Sequence, residues 1–160
     1  MTKDAQWRVR MAVFELVGDL SKQFGKDLFQ KHLESIFLSY LSNTAASVRE
    51  IGIKKSREIA EKFKADWIMS SYIPRVTEMF NIDKQGYNYR MCCLHSLEAV
   101  MPFLNKEQVS QHVIPNFCKA MKDPIPNVRF TVAKILHKMR TYIDTGIYGQ
   151  QVCPILKELM

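Results

Sequence analysis

The chain has 160 residues, of which 47% are hydrophobic and 24% charged, so it has the length of a single domain and the composition of a folded protein. Six Gly and six Pro exclude collagen-like or low-complexity material, and no apolar run approaches the roughly 20 residues that a membrane-spanning helix needs. A formal net charge of +7 is compatible with nucleic acid, an anionic surface or an acidic partner protein, and it selects none of them.

A repeat of about 40 residues runs along the chain. Four segments place an Asp or Asn before an Arg, and their arginines are 39, 41 and 39 positions apart. A Pro preceded by Ile or Cys recurs in phase, at spacings of 41 and 39. The marked residues are Asp4 with Arg10, Asn43 with Arg49, Asp83 with Arg90, Asp123 with Arg129, and the prolines Pro74, Pro115 and Pro154. Periods of about 40 to 47 are typical of paired-helix solenoids or of four-stranded propeller blades.

Helical periodicity favours the paired-helix architecture. Apolar side chains that follow Arg10 and Arg129 recur at helical spacing, whereas strand-like alternation is absent. Each Pro lies near the start of its segment, where a helix tolerates it because that N–H would be unpaired anyway. The sequence predicts an all-α chain with helices over residues 4–26, 29–41, 45–63, 67–81, 87–103, 107–121, 126–142 and 148–159.

One repeat is predicted to consist of a helix A, a short turn and a helix B that opens with Val-Arg. Because neither helix can bury its apolar face alone, neighbouring pairs must stack around a continuous core. We therefore predict a single array over residues 1–160, an elongated α-α superhelix of about four helix-pair repeats, without polar capping helices, as in a fragment of a longer array. Its parts are a partial repeat at 1–26, repeats at about 27–66, 67–105 and 106–144, and a partial repeat at 145–160.

The turn residues, the Pro of helix A and the period together resemble the HEAT repeat. The segment at residues 4–12 is similar to one late repeat of the scaffold (A) subunits of protein phosphatase 2A. Further similar stretches follow in the same order, at residues 61–67, 72–76 and 123–134, and the similarity weakens after about Thr141. The resemblance implies a HEAT-repeat solenoid formed by the C-terminal repeats of a non-catalytic scaffold. Such a scaffold holds the phosphatase catalytic subunit, while regulatory B-type subunits engage repeats outside this chain.

The same resemblance implies which residues contact the phosphatase. Trp7 is followed by Arg8, and Trp and Arg are residue types that are enriched at interface hot spots. The alternative is that Trp7 belongs to the core. Ala46 stands where the family often carries an aromatic residue, which would reduce the contact area of that turn. The implied contact residues for the catalytic subunit are Trp7, Arg8, Ala46, Tyr87, Arg90 and Ile125.

The recurrent Asp and Arg residues are interpreted as structural rather than as partner contacts. An Arg in the first turn of a helix lies at the positive end of the helix dipole, so its recurrence calls for a compensating acid. Stacked repeats would place Asp and Arg rows side by side as a ladder, in which the uncharged Asn43 forms a weaker rung. The predicted ladder consists of Asp4, Arg10, Asn43, Arg49, Asp83, Asp123 and Arg129.

No catalytic or cofactor pattern stands out, so the chain is predicted not to be an enzyme and to need no cofactor or metal. Cys92, Cys93 and His95 lie close in sequence, but adjacent cysteines do not suit one metal site, and a row of buried thiols is favoured over zinc. The basic run at residues 54–57 is interpreted as a solvated helix face. The four cysteines show no spacing typical of a disulfide or metal motif, which indicates reduced thiols. We therefore expect a cytoplasmic location, or a cytoplasmic and nuclear one.

Two other function classes stay open. One is a HEAT-like nucleic-acid-binding or DNA-repair protein that uses its basic surface, and the other is a transport or adaptor solenoid with a different partner. Against nucleic acid, the basic residues are spread over all repeats and no single acid stands out. The turn with Trp7 and Arg8 and the ordered similarity favour the phosphatase scaffold over both classes.

Overall fold

The computed structural model describes residues 6–80 and 86–158, and helices make up most of both ranges. No strand occurs within these ranges, so the predicted all-α fold class is confirmed. The chain divides into two compact units, Met1–Arg75 and Val76–Met160. The predicted single array with its repeat boundaries stays a prediction. None of the helices in the described ranges combines the length and apolar character that crossing a bilayer requires.

The first unit is built from helices that pack on one another. Helix α1 packs against both α3 and α4. The helix predicted over residues 29–41 is divided into α2 and α3, and α2 begins three residues earlier than predicted. A π-helical turn at Ile68–Tyr72 leads from α4 into α5, which includes the boundary between the two units. The bounds are α1 Trp7–Gln23, α2 Lys26–His32, α3 Glu34–Tyr40, α4 Ala46–Trp67 and α5 Ile73–Phe80.

Aromatic side chains fill the core of the first unit. Their ring centroids lie 4.3 to 6.1 Å apart in tilted or edge-on pairs, which is the geometry that aromatic rings prefer. Trp67 is fully buried, and its indole Nε1 donates a hydrogen bond to Glu34 Oε1 at 2.8 Å, which satisfies the polar group that the ring carries inside. The fully buried members are Phe14, Phe29, Phe37, Tyr40, Trp67 and Tyr72.

Lys64 separates the last helix of one pair from the first helix of the next. Its backbone has φ 56° and ψ −158°, a conformation that is almost restricted to glycine, and α4 is therefore two helices joined by a kink. This break agrees with the sequence prediction, which ends one helix at residue 63 and begins another at 67.

The second unit repeats the alternation of a long helix with a shorter composite one. Helix α9 packs against both α6 and α8. Its helices are α6 Tyr87–Val100, α7 Lys106–Gln108, α8 Ile114–Ala120, α9 Pro126–Lys138, α10 Thr145–Ile147 and α11 Cys153–Glu158. Short 3₁₀ turns at Met101–Phe103 and Arg140–Tyr142 follow α6 and α9, and π-helical turns occupy Val109–Val113 and Tyr148–Val152.

Each repeat proline is preceded by a π-helical turn. Proline lacks the N–H that would bond to the carbonyl four residues earlier, and its ring clashes with that carbonyl. A widened turn relieves the clash, and the N–H of Ile114, just before Pro115, donates to Val109 O five residues back. The same bond precedes the other two prolines, from Ile73 to Ile68 and from Cys153 to Tyr148. Each proline is the second residue of its α-helix, near the start of its segment as predicted, whereas the widened turn before it was not predicted.

Glu98 ties the two long helices of the second unit together. Its carboxylate accepts a hydrogen bond from Lys138 Nζ of α9 at 2.7 Å and faces His95 Nδ1 at 3.1 Å. Burial acts to raise the pKa of the Glu98 carboxyl, but the hydrogen bonds and charges of Lys138 and His95 outweigh burial, so this pKa lies below its ordinary value.

The backbone of Lys64 leads to a stability prediction. Replacing Lys64 by Gly should raise the free energy of unfolding by about 1 kcal/mol, because the strain relieved exceeds the added entropy of the unfolded chain. The matched control is Lys54→Gly, in the exposed interior of α4, which should lower stability by about 1 kcal/mol. Urea unfolding followed by circular dichroism measures both, and a loss of stability in Lys64→Gly would contradict the strain.

The environment of Glu98 leads to a pH prediction. Because its pKa is lower in the folded than in the unfolded state, its contribution to stability is complete above the unfolded pKa of about 4.3 and is lost as pH falls through the folded value. The difference in unfolding free energy between wild type and Glu98→Gln should therefore be largest near neutral pH and shrink on acidification. Lys138→Met should reduce that pH dependence, and a difference that is constant with pH would contradict the ion pair.

Candidate protein-interaction turns

The start of α1 presents the first pair of predicted contact residues. Trp7 is the first residue of the helix and is 37% exposed, and Arg8 beside it is exposed as well. The Arg8 guanidinium carbon lies 5.0 Å from the centroid of the Trp7 ring, within the range of a cation–π contact. Trp7 is therefore a surface residue in this structure, and the pair offers an aromatic plane together with a positive charge.

The turn before α4 is organised by Asn43 and Arg49. Asn43 Oδ1 accepts a hydrogen bond from the backbone N–H of Ala45 at 3.1 Å, which closes an Asx turn. Arg49 Nη1 donates to the carbonyl oxygens of Asn43 and Thr44, at 2.7 and 3.0 Å. The side chain of Arg49 is buried and holds the turn of its own helix pair, while Ala46, the next predicted contact residue, is exposed.

The turn before α9 has the same construction. Asp123 Oδ1 accepts from the N–H of Ile125 at 2.9 Å, and Arg129 Nη1 donates to the carbonyl oxygens of Asp123 and Pro124 at 2.7 and 3.2 Å. Asp123 is buried, whereas Ile125 is half-buried at the surface. Arg49 and Arg129 therefore both bond to backbone carbonyls of their own turns.

The carboxylate of Asp123 pairs instead with the arginine of the preceding repeat. Arg90 at the start of α6 donates through Nε and Nη2 to both Asp123 oxygens, with Nη2 and Oδ1 3.0 Å apart. In the first unit, Arg10 Nη2 donates to Asn43 Oδ1 at 3.3 Å across the same sequence separation of 33. The charged pair is bidentate, while the neutral amide receives a single longer bond, as expected for an uncharged rung.

The other predicted residues divide into described and undescribed ones. Asp4 and Asp83 lie outside the described residues. Tyr87, the first residue of α6, is 43% exposed and can offer its ring to a partner. Arg90 is a different case, because its guanidinium is committed to Asp123 and its side chain is only 20% exposed. Of these two predicted contact residues, Tyr87 is therefore the exposed one.

The basic run of α4 is not uniformly solvated, which corrects the sequence interpretation. Lys55 is 13% exposed and bonds to Asp19 of α1 at 3.0 Å and to Glu58 at 3.2 Å. Its stem also covers Gly18, where an added Cβ would lie 2.8 Å from Lys55 Cδ. Only its neighbours Lys54 and Arg57 are exposed. Sequence spacing alone gives no sign that Lys55 reaches across to a glycine on another helix.

The two cysteines and the histidine of α6 lie in different environments. Cys92 and Cys93 are buried, and burial, with the neighbouring Cys92 thiol, raises the pKa of the Cys93 thiol, which opposes formation of a reactive thiolate. His95 is exposed and faces Glu98. Within the described ranges, no three His, Cys, Asp or Glu side chains lie close enough together to hold a metal ion.

Comparison with known proteins places this geometry among helical repeats. Residues 113–139, which contain α8 and α9, match the HEAT repeat family model. Over 61 residues the chain is 33% identical to the regulatory A subunit of protein phosphatase PP2A from Schizosaccharomyces pombe, which covers 38% of this chain and 10% of that protein. Over 119 residues it is 30% identical to the beta isoform of the human 65 kDa regulatory A subunit of serine/threonine-protein phosphatase 2A, covering 72% of this chain and 20% of that protein. The chain thus contains a HEAT repeat and has distant similarity to these proteins, and the aligned regions span a tenth to a fifth of their length.

The Arg90–Asp123 pair leads to a stability prediction with a built-in control. Arg90→Ala should lower the free energy of unfolding by about 3 kcal/mol, because the buried Asp123 carboxylate would lose its guanidinium partner. Arg10→Ala removes the equivalent side chain from a neutral partner and should cost about 1 kcal/mol. Chemical unfolding of the two variants compares them directly, and equal losses would show that the charge of Asp123 is irrelevant to the pair.

Proposed function

We propose that this chain is a segment of a non-catalytic scaffold whose turns bind the catalytic subunit of protein phosphatase 2A. The observation that carries the proposal is the similarity to two proteins named as regulatory A subunits of this phosphatase, which extends over 72% of the chain for the human protein. A cytoplasmic location, or a cytoplasmic and nuclear one, is part of the same proposal. Regulatory B-type subunits would engage repeats outside this chain.

The Trp7–Arg8 pair is the proposed anchor in the first unit. The Trp7 ring is exposed at a helix start rather than held in the core, and Trp and Arg are among the residue types most enriched at binding hot spots. Stacking of the Arg8 guanidinium on the ring orders both side chains before the partner arrives. A partner that covers Trp7 therefore gains a large apolar contact at a reduced entropic cost.

Tyr87 and Ile125 are the proposed contacts in the second unit. Tyr87 combines an apolar ring with a hydroxyl, so it can pack and donate a hydrogen bond at the same interface. Ile125 adds apolar area at a turn whose backbone is already fixed by Asp123 and Arg129. Ala46 offers only a methyl group, so we propose that its turn contributes least.

Internal hydrogen bonding of the turns supports a binding role. In the turns before α4 and α9, an arginine side chain bonds two successive carbonyl oxygens, and an Asn or Asp closes the turn from the other side. A turn that is fixed in this way presents its exposed side chains without first having to be ordered. Preorganisation of this kind raises affinity because less conformational entropy is lost on binding.

Replacement of Trp7 tests the proposed function. Trp7→Ala should weaken binding to purified phosphatase 2A catalytic subunit by roughly 2 kcal/mol, about thirtyfold in Kd, as for an aromatic anchor. Helical content should be unchanged, because the ring is exposed. Isothermal titration of wild type and variant, with circular dichroism on each, provides the measurement.

The control for this experiment is Lys54→Ala. Lys54 is exposed on α4, whereas its neighbour Lys55 bridges two helices, so removal of the Lys54 side chain should change neither folding nor binding. Unaltered binding by a folded Trp7→Ala variant would reject the turn assignment. Retention of the chain on DNA that is lost in Lys54→Ala and at high salt would favour the nucleic-acid class instead.

A further inference from the structure

The outward face of α9 differs from that of the other long helices. Five side chains of this face, which recur at helical spacing, are exposed. Phe130 is one of them and is 61% exposed, the highest value for a large apolar side chain in the described ranges. The segment 126–142 contains no Asp or Glu. We call this surface the α9 face, and it consists of Asn127, Phe130, Lys134, His137 and Lys138.

Phe130 and Lys134 form the centre of the α9 face. The Lys134 ammonium lies 4.3 Å from the centroid of the Phe130 ring. No acidic side chain pairs with Lys134 in the part of the chain that the structure describes, whereas Lys138 at the edge of the face is bonded to Glu98. The centre of the face thus combines an exposed aromatic ring with a cation whose charge is not compensated by these residues.

The equivalent positions of α4 carry a different pattern. Arg49 and Arg129 occupy the same position of their turns, so Phe130 corresponds to Glu50 and Lys134 to Lys54. Glu50 and Lys54 are both exposed, and further acids at residues 58 and 61 give α4 a mixed surface. Mixed charge is typical of a solvated face, whereas α9 has neither the acids nor a polar residue at the position of Phe130.

A following helix pair would leave the position of Lys134 on this face open. Helix α6 is already covered by α9, and yet His95, the counterpart of Lys134, is exposed. Helix α1 is likewise covered by α4, and its counterpart Glu15 is exposed. This position therefore points away from the packing side in two helices whose following neighbour is present.

We propose that the α9 face is a docking site for an acidic protein segment that carries an apolar side chain. The apolar side chain would pack on Phe130 while a carboxylate pairs with Lys134, which joins an aromatic anchor to complementary charge. Charge complementarity favours this occupant, because the charge at the centre of the face, on Lys134, is positive and not compensated by the described residues. A nucleic acid fits less well, since one helix supplies few phosphate contacts and Lys134 already covers one side of the Phe130 ring. The proposal does not rest on phosphatase binding by the turns.

A fluorescent peptide tests the α9 face directly. The probe is a labelled amphipathic peptide in which Glu and Asp alternate with Leu and Phe, and its fluorescence anisotropy is measured against the whole chain. We expect Lys134→Glu to weaken binding more than tenfold through charge reversal, and Phe130→Ser to weaken it about tenfold. Lys54→Glu, the same change at the equivalent position of α4, should leave binding within about twofold of wild type.

Further probes separate the competing occupants. The same peptide with Lys in place of its acids should not bind, and a labelled single-stranded oligonucleotide should bind more weakly than the acidic peptide. The proposal is overturned if Lys134→Glu and Phe130→Ser bind the acidic peptide as wild type does, if the basic peptide binds equally well, or if the oligonucleotide binds more tightly and depends on Lys134. Since both side chains are exposed, circular dichroism of the variants should match that of wild type.

Discussion

A turn between two antiparallel helices leaves backbone carbonyl and N–H groups that neither helix can satisfy. In this chain an arginine from the first turn of the following helix takes up the carbonyls, as Arg49 and Arg129 each donate one nitrogen to two successive oxygens. An Asn or Asp side chain takes up the N–H at the other side of the turn. The position of the arginine near the positive end of the helix dipole, which by itself is unfavourable, is offset by these carbonyl dipoles.

Because the arginine of the turn bonds to backbone carbonyls, the carboxylate of the turn can accept hydrogen bonds from the preceding helix pair. Asp123 uses one oxygen for its own turn and still accepts the fork of Arg90, so a single carboxylate shapes the turn and joins two pairs within the second unit. Asn43 reproduces the turn but offers Arg10 only an amide oxygen. Because these polar groups are occupied internally, the side chains that we propose for partner binding are exposed ones at the helix starts, such as Trp7 and Tyr87.

The repeat period and the apolar spacing were sufficient to predict the helices, since both depend on residues close in sequence. The break at Lys64 also agrees with prediction, although no glycine marks it. The π-helical turns before the prolines were missed because they arise from a conflict between a proline ring and a carbonyl inside a helix held by packing. Contacts between repeats were missed for another reason: the sequence shows that Asp and Arg recur, but not that Arg90 pairs with the acid of the next turn, nor that Lys55 covers Gly18.

The net charge of +7 looks uniform along the sequence, but the structure assigns its cations to different tasks. Arg49 and Arg129 bond to turn carbonyls, Lys62 bonds to the carbonyls of Ser21 and Phe24 at the end of α1, and Lys55 and Lys138 join neighbouring helices. Lys134 has none of these tasks among the described residues, and it lies instead over the exposed ring of Phe130. Net charge describes what a surface tolerates at long range, whereas a single uncompensated cation beside an apolar ring defines where a partner of opposite charge gains both contacts at once.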